Sequence, residues 1–315
     1  MPQVNKPILV IGASGFLGRQ VAKALLEGGR TVRCMARNPS RAQDLSNLGC
    51  EVVQGDLLDA ESVARALESV QAVYISIHTL SPQGANSSGH DFMDVERTGL
   101  ENIVKACRTH GVRRLIYVTS IGVAPDAPSA WLRGRWQTEQ FLLHSGLDVT
   151  VLRPGMIVGR GGTGFEAVLS GAGRPFATLL GSGQQRMRTI AVEDLAYYMV
   201  GVLDDSRSFG HAFEVGSDDV LSMNQMMDGA ADCLGRRHPL KIHVPQGLLA
   251  LLSPLLERAG KLPRGAFKGL VDSLPVHMDG NPAPIRTLLG RPLQSYTQSV
   301  QRALGGRANP QVAKR

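Results

Sequence analysis

Cysteine is scarce in this sequence, with four residues (Cys34, Cys50, Cys107 and Cys233) among 315. None lies in a C-x-x-C pair or beside a histidine at metal-ligand spacing. A disulfide scaffold and a cysteine-rich zinc site are therefore excluded, and the thiols read as buried groups in a reducing compartment. Long apolar runs are missing as well. The longest, "GLLALLSPLLERAG" (247–260), is too short to span a bilayer and carries Pro254 in its middle. It reads as an amphipathic lid, a dimer surface or a peripheral membrane contact. The opening "MPQVNKPILVIG" has no charged region followed by a long hydrophobic one, so the expected location is the cytoplasm. Aromatic residues make up only 5% of the chain. Acidic residues are outnumbered, 27 Asp and Glu against 34 Lys and Arg, for a net charge of +7. No basic run is dense enough for a nucleic-acid arm. The balance suits a solvated basic surface and small anionic ligands such as nucleotides.

What is present is alternation. Short apolar runs, "ILVIG" (8–12), "TVRCMA" (31–36), "EVVQG" (51–55), "AVYISI" (72–77), "RLIYVTS" (114–120) and "DVTVLR" (148–153), predict strands. Helical patterns fall between them near 16–28, 40–48, 59–69, 92–110 and 131–145. Strands that are nearly continuous apolar runs are covered on both faces, which marks a parallel sheet in a doubly wound α/β fold. Residues 159–187 are rich in glycine and read as an excursion from the sheet. A helix at 192–204 and a strand "HAFEVG" (211–216) follow, and 222–305 reads as mainly helical. The expected organisation is a dinucleotide-binding domain over 1–158, completed by 188–216. A smaller, mainly helical C-terminal substrate lobe takes 159–187 and 217–305, and 306–315 is a flexible tail. Met156, Phe165, Phe176 and Met187 suggest either an apolar pocket or the core of that lobe.

The stretch "VIGASGFLGRQVAKALLEGG" runs from strand into helix, with Gly12, Gly15 and Gly18 spaced G-x-x-G-x-x-G. Gly12 permits the tight turn, Gly15 lets backbone N–H groups approach a pyrophosphate, and Gly18 lets the helix pack closely. Ser14 adds a hydroxyl. At the end of the second strand an acid would hold an adenosine 2′-hydroxyl. Here "VRCMARNPSR" has none and offers Arg33, Arg37 and Arg41. Arg37 sits where a guanidinium grips a 2′-phosphate, so NADP(H) is favoured over NAD(H), unless Arg37 is only a solvated loop residue. In "GDLLD" (55–59), Asp56 and Leu57 frame an adenine, or Asp56 helps cap the helix beginning near Asp59.

Together with "GVRRLIYVTSIGV", "SGLDVTVLRPGMIVG", "RTIAVEDLAYYM" and "PIRTLLGRPLQSYTQSVQRAL", these pieces resemble the short-chain dehydrogenase/reductase superfamily. The likeness is to an atypical member in the NmrA-like, NAD(P)H-binding branch related to the extended members, and it covers roughly residues 7–305. The resemblance implies a Rossmann sheet in which Gly12, Ser14, Gly15, Phe16 and Leu17 line the pyrophosphate. Ser76, Ile77 and His78 pass the riboses, and Pro154 and Gly155 lie near the nicotinamide. Ser120 matches the family's catalytic Ser or Thr.

The family's catalytic Tyr and Lys, one helical turn apart, are absent. Their positions resemble Trp131 and Arg135 in "SAWLRGRW". An indole N–H donates but does not titrate, so it is no general base. Arg135 can hold a ribose hydroxyl but moves no proton near neutral pH. His78, with His90 and Asp91 on the following loop, is a replacement acid or a hydrogen-bonded strand end. The expectation is an oxidoreductase acting on a small apolar carbonyl, enone or quinone. The alternatives are a non-catalytic NADPH-binding sensor, regulator or assembly factor, and a redox-neutral enzyme with the cofactor as scaffold. No metal is expected, and the chain is a monomer or homodimer.

Overall fold

The computed structural model describes residues 6–77, 92–260 and 262–305. Its centre is a parallel sheet of seven strands: β1 (Ile8–Ile11), β2 (Val32–Ala36), β3 (Glu51–Gln54), β4 (Ala72–Ile75), β5 (Arg114–Val118), β6 (Asp148–Pro154) and β10 (His211–Val215), in the order β10-β6-β5-β4-β1-β2-β3. The order reverses between β1 and β4, which opens a crevice at their carboxyl ends. Successive residues of a strand face opposite layers. Ile8 and Val10 join one core with Ile116, Val118 and Leu152, while Leu9 and Ile11 join the other with Leu115, Tyr117 and Val151. That is why these strands read as unbroken apolar runs.

The first core is covered by α1 (Phe16–Glu27) and α7 (Val192–Gly201). The second is covered by α3 (Ala60–Ala66), α4 (Phe92–His110) and α5 (Ala130–Leu143). The helical pattern near 40–48 is a 3-10 turn, Pro39–Ala42, running into the short α2 (Gln43–Asn47).

The glycine-rich segment after β6 is more regular than its composition predicts. Entered from β7 (Met156–Val158), it holds α6 (Thr163–Ala172) and β8 (Phe176–Leu180). Strand β7 pairs with β9 (Arg186–Ala191), which pairs in turn with β11 (Val220–Ser222). The lobe adds α8 (Met223–Cys233), β12 (Leu240–Val244), α9 (Gln246–Ala259), α10 (Ala266–Ser273), α11 (Ala283–Leu288) and α12 (Tyr296–Ala303). Strand β12 lies in a stretch expected to be mainly helical. It forms a two-stranded parallel ribbon with β8, a partner too distant for local pattern to reveal. Phe165 and Met187 are buried in the lobe's core against Met226 and Tyr296, and Phe176 is exposed on β8. These positions therefore do not form the pocket offered by the sequence. Met156 alone stays half-buried, against Gly164.

Candidate active site

The turn after β1 is built for close approach. Gly12 has φ +83°, and a Cβ there would fall 2.1 Å from the carbonyl oxygen of Ser76, just past β4. A Cβ on Gly18 would fall 2.3 Å from the Gly12 oxygen, so α1 packs directly on the turn. Gly15 is exposed and N-caps α1 with no side-chain partner for the helix's first amides. Such uncapped donors, with the helix dipole, are the kind of group that anions meet at helix N-termini. Ser14 beside it is exposed, and Leu17 is buried. The Phe16 ring lies against the glycines after β7. A Cβ on Gly159, Gly161 or Gly162 would come within 3.0, 3.5 or 2.8 Å of it.

At the end of β2 the three arginines separate. Arg33 is structural: its guanidinium bonds Glu51 at 2.8 Å and the carbonyls of Ala66 and Glu68 at 3.0 and 2.7 Å. Arg37 and Arg41 are exposed beyond the strand. Asp56 accepts from the N–H of Leu58 at 3.0 Å, and Asp59, not Asp56, caps α3. Leu57 packs on Gly99 of α4, and its carbonyl accepts from Asn102 at 2.7 Å.

Ser76 donates its N–H to Ile11 at 3.1 Å, joining the ends of β1 and β4. His78, His90 and Asp91 lie outside the described residues. Ser120, two residues past β5, has its hydroxyl oxygen enclosed without a hydrogen-bond partner. Trp131, in the first turn of α5, is 8% exposed, and its indole N–H is likewise enclosed and unpartnered. At the end of β6, the Pro154 carbonyl accepts from Ile121 at 3.0 Å, and Gly155 just past it donates to Val215 at 3.2 Å. A Cβ on Gly155 would lie 1.9 Å from the Arg188 oxygen, so only glycine passes there.

Arg135 is buried and engaged. Gly134 lets Met93 of α4 come against α5, with a Cβ there 2.8 Å from the methionine. The two helices are therefore close enough for Glu96 to take Arg135 Nε at 3.2 Å. Arg135 Nη2 also donates to the Ile77 carbonyl at 3.3 Å, past the end of β4. Glu96 further accepts from the Tyr117 hydroxyl and, at 3.2 Å, from Thr138. One turn on, the buried Glu139 holds Thr119 and one edge of the Arg153 guanidinium, through Nε and Nη2. Burial opposes the charge on Arg135, but Glu96 and Tyr117 outweigh it and raise its pKa above the ordinary arginine value. Burial, then the charge of Glu96, pushes the Tyr117 phenol well above its usual range. Neither group exchanges protons near neutral pH, so Tyr117 does not replace the missing tyrosine. Glu96, Tyr117, Thr138, Glu139 and Arg153 were not among the sequence candidates.

A family model described as NAD(P)H-binding matches residues 12–206. The chain belongs to this NAD(P)H-binding family, within the atypical short-chain dehydrogenases/reductases.

A 2-alkyl-3-oxoalkanoate reductase of Stenotrophomonas maltophilia is 26% identical over 254 residues, 72% of this chain and 76% of that one. A photosystem II assembly factor of Cyanophora paradoxa is 30% identical over 146 residues, 46% of this chain and 44% of its own. An NADPH-complexed quinone oxidoreductase of Escherichia coli has the same fold. Its TM-score is 0.71 at 21% identity, covering 94% of this chain and 99% of that one. The NAD(P)H-binding family fixes the cofactor class as a nicotinamide dinucleotide. The glycine turn and uncapped α1 at the reversal of strand order fit such a group. No helix among the described residues is long and apolar enough to cross a membrane.

Proposed function

We propose that the protein is an NADP(H)-dependent reductase of a small apolar carbonyl, enone or quinone. The observation that carries this reading is the pair of enclosed, unpartnered donors, Ser120 Oγ–H and Trp131 Nε1–H. Leaving a buried donor unsatisfied costs about 1–3 kcal/mol. Such a cost is expected where the partner arrives with the substrate, here an oxygen that gains negative charge. When bound, the reduced nicotinamide supplies the hydride. Gly12, Ser14, Gly15, Phe16, Leu17 and Gly18 would seat the pyrophosphate, and Arg37 the 2′-phosphate. Asp56 and Leu57 would flank the adenine. Ser76, Ile77, His78, Pro154 and Gly155 would line the path to the nicotinamide. Arg135, oriented by Glu96, would add positive charge beside the nicotinamide ribose, and solvent would deliver the proton. Relatives named as a reductase of oxoalkanoates and a quinone oxidoreductase support the substrate class.

One observation favours a second reading. The Arg135 guanidinium is already taken up by Glu96 and the Ile77 carbonyl, which suits a non-catalytic NADPH-binding sensor or assembly factor. A relative named as an assembly factor points the same way. NADPH oxidation against a panel of ketones, enones and quinones separates the two. Turnover with at least one class supports the reductase. Tight NADPH binding with no oxidation by any of them supports the sensor and rejects the reductase.

A further inference from the structure

Helix α9 is short of partners. It packs on α10 and buries only Leu249 and Ser253 among its residues. Leu248, Leu251, Leu252 and Leu255 follow i, i+3, i+4, i+7 spacing and make one exposed apolar stripe, with Leu251 76% and Leu255 65% exposed. Immediately before it, the register of β12 and β8 sets exposed Leu240 opposite exposed Phe176, one more apolar surface on the same lobe.

The charge around this stripe is mainly positive, although Lys241 pairs with Asp228 and Lys268 with Asp272 at its margins. Residues 236–268 hold seven Lys or Arg against one acid, Glu257, and so carry six of the chain's seven net positive charges. That acid is turned inward. Its carboxylate accepts the N–H groups of Gly265, Phe267 and Lys268 at 3.0, 3.0 and 3.1 Å, at the start of α10. Arg236, Arg237, Arg258 and Arg264 are exposed. Arg258 lies three residues after Leu255 and seven after Leu251, on the edge of the stripe. A second copy covering this face would bring like charge against like charge. A sheet of anionic headgroups over hydrocarbon meets both properties at once.

We propose that α9 and its basic flanks form a docking element that lies in the surface of an anionic membrane, leucines down and arginines among the headgroups. The docked face is one helix layer from the candidate active site. Ala266 of α10 shares an apolar cluster with Trp131, and Ser129, just before α5, bonds the Gly269 carbonyl at 2.7 Å. An apolar substrate dissolved in the bilayer would then have a short path to the site.

The test is sedimentation of the full chain with vesicles of phosphatidylcholine alone or with about a quarter phosphatidylserine. The expected result is binding to the anionic vesicles only. It should weaken about a hundredfold in Leu251→Gln/Leu255→Gln and about tenfold in Arg258→Glu. Absence of binding to anionic vesicles, or equal binding to phosphatidylcholine alone, overturns the proposal. So does a dimer in light scattering that the leucine variant dissolves. The inference stands apart from the reductase reading. NADPH affinity of the leucine variant, measured without vesicles, is expected to match the parent, so the two can fail separately.

Discussion

The two ends of the central sheet treat their buried polar groups in opposite ways. At the amino end, Arg114 begins β5 and spends its guanidinium on the fold. It bonds the carbonyls of Val202, Leu203 and Asp148 at 2.6, 2.7 and 2.7 Å and the Thr150 hydroxyl at 2.8 Å, and it stacks on Phe209 at 4.3 Å. No carboxylate takes part in those contacts, and burial lowers its pKa to about 10. At the carboxyl end, beside the satisfied networks of Glu96 and Glu139, two buried donors are left over, Ser120 Oγ and Trp131 Nε1, and the first amides of α1 have no side-chain cap. Satisfied polar groups hold elements together, whereas unsatisfied ones store a cost that a ligand can relieve. One sheet therefore separates stability from binding by length, with a strand between them.

The sharpest way to break that separation is Arg114→Met. It removes a buried donor from three carbonyls, of which Val202 keeps the Ser208 hydroxyl, and the expected loss is roughly 3–5 kcal/mol of stability in a denaturant melt, with NADPH affinity of the folded protein unchanged. A parallel loss of cofactor affinity would show that the ends are coupled. Gly15→Val reverses the pattern. Gly15 has φ −85°, and a Cβ there meets only the Gly12 oxygen at 3.2 Å, so the fold should tolerate the side chain. The valine would fill the pyrophosphate's space, and calorimetry should show affinity down at least a hundredfold, about 2.7 kcal/mol. Arg37→Ala should cost roughly 1.5–3 kcal/mol for NADPH and nothing for NADH. Equal weakening of both cofactors would remove the 2′-phosphate contact from the account. Trp131→Phe is the smallest change. It deletes one neutral donor, so KM for the carbonyl substrate should rise about fivefold, near 1 kcal/mol, with the melting temperature unchanged or raised. An unchanged KM would make Trp131 a packing residue only.

The sheet was legible because strands covered on both faces leave continuous apolar runs, and the glycine turn was legible because its spacing sits between strand and helix. The electrostatics behind α5 were not read, although half the signal was available. Glu96 lies three residues after Met93 and four before Leu100, a carboxylate on an apolar stripe. Its partner stands 39 residues away, and only the packing permitted by Gly134 brings them together. The ribbon β8–β12 was missed for the same reason: "LKIHV" is a short alternation whose pairing is wholly tertiary. Phe165 and Met187 show the limit of residue type, since an apolar side chain reads alike in a pocket wall and in a core.

Phe16 belongs to two bodies at once. Its backbone starts the helix proposed to face the pyrophosphate, and its ring lies against Gly159, Gly161 and Gly162, at the threshold of α6. A ligand that orders the first therefore spends part of its binding free energy on the second, and by reciprocity an ordered α6 tightens the ligand. At a hundred times its dissociation constant a cofactor contributes about 2.7 kcal/mol to whatever it is coupled to. The slowing of amide exchange on adding NADPH should therefore reach α6, though none of that helix's own residues is assigned to the cofactor. In that sense the phenylalanine is a tension member, and the glycines opposite it are the slot it is strung through.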